Sequence, residues 1–348
     1  MMMTSRRLVE VRRGPVLDER HRGDLAVVSA DGALRYSVGD PAGKLALWRS
    51  AAKPFQAMPL IASGAAERLG LSAADIALMS SSHGGEPVHV ARAAAILERT
   101  GHGVADLECG AHAPLDAASA RELERCGDEP NALHNNCSGK HAGMLALADE
   151  LRAPRGGYRQ AEHPVQRLMR ENVSRFTGLR QDEIALALDG CGVPSFGISV
   201  FRMARAYARL MAPGDEIAAP YRSAAAVVRE AMMEHPYLVA GRDRIDTDLM
   251  SALPGLLVSK EGAGGVHCVG LPGGIGIALK IEDGAWSSGP GGPAGIAMLD
   301  ALRQLDVLDE DLLARLGRHA RPTILSVAGE RAGSARPVFE LSSPRLRM

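Results

Sequence analysis

Ser50 and Lys53, three positions apart in RSAAKPFQ, are the first residues of this chain whose types and spacing could do chemistry. Three residues is close to one helical turn, so both side chains can share a helix face. A serine hydroxyl is a poor nucleophile until a neighbour accepts its proton, and a lysine can do so only where burial or another cation lowers its pKa. The flanking Ala51, Ala52, Pro54 and Phe55 provide such an apolar setting, although an isolated Ser-x-x-Lys pair is usually an ordinary surface helix.

A second serine, Ser82 in SSSHGGEP, and a second lysine, Lys260 in SKEG, follow in the chain. A Ser-x-x-Lys pair, then a serine on a turn among helices, then Lys-x-Gly on a late strand is similar to the order of catalytic elements in serine β-lactamases and penicillin-binding proteins. Only five of the 40 basic residues are lysine: Lys44, Lys53, Lys140, Lys260 and Lys280. Arginine cannot give up its proton in a protein and lysine can, so each remaining lysine is a candidate base or ligand.

The third constellation is HNNCSGKHAG with Cys191 in DGCGVP. Cys137 and Lys140 can lie on one helix face, and Cys191 sits on a glycine-bracketed turn that could meet them. Two thiolates and a nitrogen suit a tetrahedral zinc site, and a lysine ligand would have to be deprotonated; buried structural cysteines are the alternative. His83 and His141 adjoin these residues and could orient groups or simply pack. Asp189 and Glu86 could bind a substrate ammonium or cap local structure.

The elements that must position these groups read as strands at both ends of the chain around a helical middle. Leu8 to Val11, Leu25 to Ser29 and Leu34 to Val38 have strand character, the last two joined by Asp31-Gly32, a hairpin signal. Ile76 to Ser80 reads as a short strand or buried turn. Helical spacing covers roughly Pro87 to Arg99, Asp116 to Arg125, His141 to Glu150, Pro164 to Thr177, Ser199 to Met211 and Glu216 to Glu234. Glu183 to Asp189 reads as a buried strand. Late strands are expected at Leu256 to Ser259, Val266 to Leu271 and Gly276 to Ile281, with closing helices at Pro293 to Leu305 and Asp309 to Leu316. This order predicts an α+β protein with a mainly antiparallel sheet, one catalytic domain over 1–348, and a helical lobe over about 87–180.

Composition narrows the function. A net charge of −1 and an aromatic content of 3% leave no basic patch and few stacking surfaces for nucleic acid. No apolar run is long enough for a membrane span, and MMMTSRRLVEVRRG lacks a secretory apolar core, so a cytoplasmic location is expected. Five cysteines, an odd number, argue against a disulfide framework.

With these motifs in hand, the sequence resembles the asparaginase II family, the rhizobial-type or class 3 L-asparaginases, along nearly its whole length, through VEVRRG, RSAAKPFQAMPL, SSSHGGEPVHV, HNNCSGKHAGML, HPVQRLM, DGCGVPSF and GIALKIEDG. The resemblance implies a serine β-lactamase-like fold, a homodimer, and hydrolysis of L-asparagine to L-aspartate and ammonia. It implies one Ser-Lys tandem at Ser50 and Lys53, a second at Ser82 and Lys260, and zinc on Cys137, Lys140 and Cys191 that supports substrate binding. Arg49, His83 and Asp189 are expected near the substrate. The chain departs from the family pattern at Gly264, where a glutamate is usual, and at Arg244 and Asp246, where small or apolar residues are expected. These departures keep open a glutaminase, a β-lactamase-like hydrolase, or a catalytically silent zinc-dependent binding protein.

Overall fold

The computed structural model describes residues 4–285 and 289–343. Strands β1 (Arg6–Arg13), β2 (Val16–Ser29), β3 (Leu34–Val38) and β4 (Leu45–Leu47) come first, and β5 (Ala185–Leu188) and β6 (Pro194–Ser199) lie within the helical middle. After it come β7 (Val258–Gly262), β8 (Val266–Leu271) and β9 (Ile275–Ile281), then β10 (Thr323–Leu325) and β11 (Arg331–Pro337). Among the described residues β10-β11-β1-β2-β9-β8-β7 form one sheet in that order, with β3 on β2, and β4-β6-β5 form a small second sheet. Neighbouring strands in both are antiparallel. The fold is therefore α+β, with its main sheet assembled from the two ends of the chain, as the strand-helix-strand order predicts.

Burial explains the central strands. Leu25 to Val28 of β2 and Ile277 to Leu279 of β9 are consecutive buried residues, so both faces of the sheet centre are covered. The helices Val200–Met211 and Pro293–Gln304 pack on it. The first comes close enough that a Cβ added at Gly276 would lie 1.9 Å from the Ala204 carbonyl oxygen. The Asp31-Gly32 hairpin forms as expected: Gly32 has φ +91° and Asp31 Oδ1 accepts the Ala33 N–H at 2.9 Å. None of the described helices is long and apolar enough to cross a membrane.

Three elements differ from the sequence reading. Ile76 to Ser80 is not a strand: Ile76–Met79 end the helix Ala73–Met79, started by a reciprocal cap in which Ser72 Oγ accepts the Asp75 N–H and Asp75 Oδ2 accepts the Ser72 N–H. The strand within Glu183 to Asp189 is short and largely exposed, an edge of the small sheet instead of a core strand. The chain also continues past its closing helices into β10 and β11, the latter pairing with β1.

Candidate active site

Ser50 stands on a single 3-10 turn, Arg49–Ala52, that runs directly into the helix Lys53–Ala62. Pro54 fits here because the first turn of a helix leaves its N–H groups unbonded. The turn rests on an aromatic cluster in which the Phe55 ring lies 4.8 Å from Trp48, 5.3 Å from Phe176 and 5.5 Å from Tyr207. Tyr207, from the helix that covers the sheet, donates to the Ala51 carbonyl at 2.8 Å. β7 presses on the same turn: a Cβ at Gly262 would sit 3.0 Å from the Trp48 carbonyl oxygen and 3.2 Å from the Ala51 nitrogen.

Arg49 precedes the serine with φ +53°, a left-handed conformation that costs a non-glycine residue about 1 kcal/mol. It is held there from two directions. Its Nε and Nη2 lie 3.0 and 2.9 Å from Asp189 Oδ1, and its backbone N–H donates to Ser195 Oγ at 3.2 Å. Asp189 itself begins the tight turn between β5 and β6, closed by the Gly192 N–H on the Asp189 carbonyl at 2.9 Å. The Ser50 side chain is half-buried, and none of the described residues hydrogen-bonds its hydroxyl.

Lys53 is 1% exposed. Its Nζ makes three contacts, to the Ser81 carbonyl at 2.5 Å, Ser82 Oγ at 2.9 Å and the Asn136 carbonyl at 3.2 Å. Burial pushes its pKa down to about 8; Lys140 and Lys260 add to that, and the thiols of Cys137 and Cys191 oppose it. The carbonyls can only accept. A neutral Lys53 therefore spends both N–H groups on them and turns its lone pair to the Ser82 hydroxyl, the arrangement of a general base. Ser82 is fixed by its own N–H on the Val239 carbonyl at 2.9 Å.

The structure does not join Ser82 to Lys260. Lys260, wholly buried on β7, points to Asp246 Oδ2 at 3.1 Å and to the Glu261 carbonyl at 3.0 Å. A buried carboxylate is a stronger partner for an ammonium than a hydroxyl is, so Asp246 takes it. Sequence reading passed over this residue except as a departure from the family pattern. His83 is also spoken for: Nδ1 accepts the Gly85 N–H at 3.1 Å, which leaves the proton on Nε2 for Ser138 Oγ at 2.9 Å. Burial pushes the pKa of this ring well down, so it is neutral.

Cys137, Lys140 and Cys191 do come together. Lys140 Nζ lies 3.1 Å from Cys191 Sγ, and all three side chains are buried. The Cys191 S–H on Cys137, with help from Lys140, holds the Cys137 thiol well below its usual range against the effect of burial. Burial lowers the Lys140 pKa, but the two sulfurs outweigh it and the net shift is upward. Among the described residues no group of three His, Cys, Asp or Glu side chains is placed to hold a metal ion. Two thiols and an amine are a donor set suited to zinc only once Lys140 has lost the proton that the neighbouring sulfurs favour.

A family model described as L-asparaginase II matches residues 9–337. None of the curated proteins matches. Among solved structures, a protein named Mglu in its native form shares 17% identity with a TM-score of 0.43, over 84% of this chain and 66% of that one. A probable glutaminase, YbaS, shares 17% identity with a TM-score of 0.40, over 85% of each chain. The chain thus spans just under two thirds of the length of Mglu.

Proposed function

This chain belongs to the L-asparaginase II family, an amidohydrolase assignment, and we propose that it hydrolyses L-asparagine to L-aspartate and ammonia by acyl transfer through a serine. The observation that carries the mechanism is the buried Lys53, placed one turn after Ser50 and 2.9 Å from Ser82 Oγ. Ser50 attacks the side-chain amide carbon and its proton passes to Lys53. Lys53 hands the proton through Ser82 to the nitrogen as the C–N bond breaks, releasing ammonia and leaving a β-aspartyl ester on Ser50. Water then hydrolyses the ester. The backbone N–H of Ser50 and one on the adjoining β7 are suited to the oxyanion, a contribution of about 3 kcal/mol in comparable sites.

Arg49 and Asp189 flank Ser50 with opposite charges and partly exposed side chains, matching the carboxylate and ammonium of a free amino acid. Cys137, Lys140 and Cys191 would hold zinc, which when bound offers an electropositive contact for the substrate. Ser82 as the attacking hydroxyl is a second reading, favoured by the lone-pair geometry at Lys53. Ammonia release from L-asparagine and L-glutamine, with Ser50→Ala and Ser82→Ala run in parallel, tests the reaction. Intact mass of the trapped acyl-enzyme, localised by peptide mapping, distinguishes the two serines. No release from either amide, with zinc supplied, would point to a binding protein.

A further inference from the structure

Asp246 is the most heavily bonded buried carboxylate near the site. It stands in the first turn of the helix Ile245–Ala252 and is 0% exposed. Oδ1 accepts from Ser259 Oγ at 2.8 Å and lies 3.5 Å from His267 Nε2, while Oδ2 accepts from Lys260 Nζ at 3.1 Å. Both oxygens also lie within 3.0 Å of the Glu261 nitrogen. One carboxylate thus grips β7 at three consecutive residues, Ser259, Lys260 and Glu261. Around it, Arg244 Nη2 lies 3.6 Å from Glu261 Oε2.

We propose that Asp246 is a positioning residue of this active site: by gripping Ser259, Lys260 and Glu261 it fixes Lys260 and the β7 segment that abuts the Ser50 turn. The inference rests on the amidase reading above. Lys260 immediately precedes Glu261 and Gly262, and Gly262 is the residue that touches the Ser50 turn. Without the carboxylate, the buried Lys260 keeps, among the described residues, only the Glu261 carbonyl as partner and is freed from its place on β7.

The test is a double-mutant cycle with the isosteric Asp246→Asn, Lys260→Met, and both together, measuring kcat and KM on L-asparagine with the melting temperature of each. Asp246→Asn is expected to lower kcat at least twentyfold with KM within threefold. In the Lys260→Met background the same change should lower kcat less than twofold, because it then has no lysine to act through. The pair also removes both buried charges together, so it remains informative if Asp246→Asn alone does not fold. An Asp246→Asn enzyme with kcat within twofold of wild type, or losses that simply multiply in the double variant, overturns the proposal. If the wild type releases no ammonia from either amide, the amidase reading has failed, and the positioning is read by 13Cε-lysine NMR. The chain has five lysines, so each signal is assignable by substitution. Distinct Lys260 Hε protons that merge in Asp246→Asn support the proposal; an unchanged signal overturns it.

Discussion

Lys53 Nζ lies 2.9 Å from Ser82 Oγ, although 29 residues separate them in the chain. The helix that carries Lys53 follows directly on the turn that carries Ser50, so in the proposed mechanism one amine serves both hydroxyls.

That sharing makes Lys53 the least replaceable residue of the site. Lys53→Met is expected to lower kcat by about 10³, the usual scale for a lost general base. Lys53→Arg should be no better, since arginine keeps its proton. Ammonia release measured against a circular-dichroism control for folding checks both.

The pH dependence has a definite sign. Burial lowers the Lys53 pKa to about 8, and the proposed acyl transfer needs the neutral amine. Below that pH, kcat/KM should climb about tenfold per unit, and above it level off. A profile that is flat from pH 6 to 9 would remove Lys53 from the role of base.

The left-handed Arg49 separates backbone strain from charge. Arg49→Ala and Arg49→Gly both lose the Asp189 pair, but glycine adopts φ +53° freely. The glycine variant should therefore be more stable than the alanine variant by about 1 kcal/mol. Asp189→Ala should impair turnover as both Arg49 variants do, read as a fall in kcat/KM at unchanged fold.

Zinc at 100 times its Kd should stabilise the protein by about 2.7 kcal/mol, seen as a rise in melting temperature. Cys191→Ala should abolish that rise. Cys126 is exposed and the other four cysteines are buried, so a thiol reagent should titrate one group quickly in the native protein and five after denaturation.

Gly276→Ala tests the packing behind the site. Its Cβ would fall 1.9 Å from the Ala204 carbonyl oxygen, a backbone atom that cannot swing aside. A loss of about 3 kcal/mol is expected from such overpacking, measurable by urea unfolding.

The parts of this molecule legible in its sequence are those whose cause is local. The hairpin at Asp31-Gly32, the amphipathic helices and the buried runs of β8 and β9 follow from turn chemistry and periodicity. Ile76 to Ser80 misled because a short apolar run looks alike in a strand and a buried helix; the Ser72-x-x-Asp75 cap carried the decisive signal. β11, with sequence RAGSARP, shows no apolar alternation and owes its form to pairing with β1. In the site, residue types and short spacings pointed to Ser50, Lys53 and the Cys137–Lys140 pair. The partner choices of Lys53 and Lys260 are set by Ser82 and Asp246, 29 and 14 positions away on other elements, and no local spacing encodes them.

The burial of lysine has a practical side. Lys53, Lys140 and Lys260 are at most 4% exposed, whereas the Lys44 side chain is 41% exposed. Amine-directed conjugation to a polymer or resin should therefore reach Lys44 well ahead of Lys53, Lys140 and Lys260, leaving those interior amines unmodified.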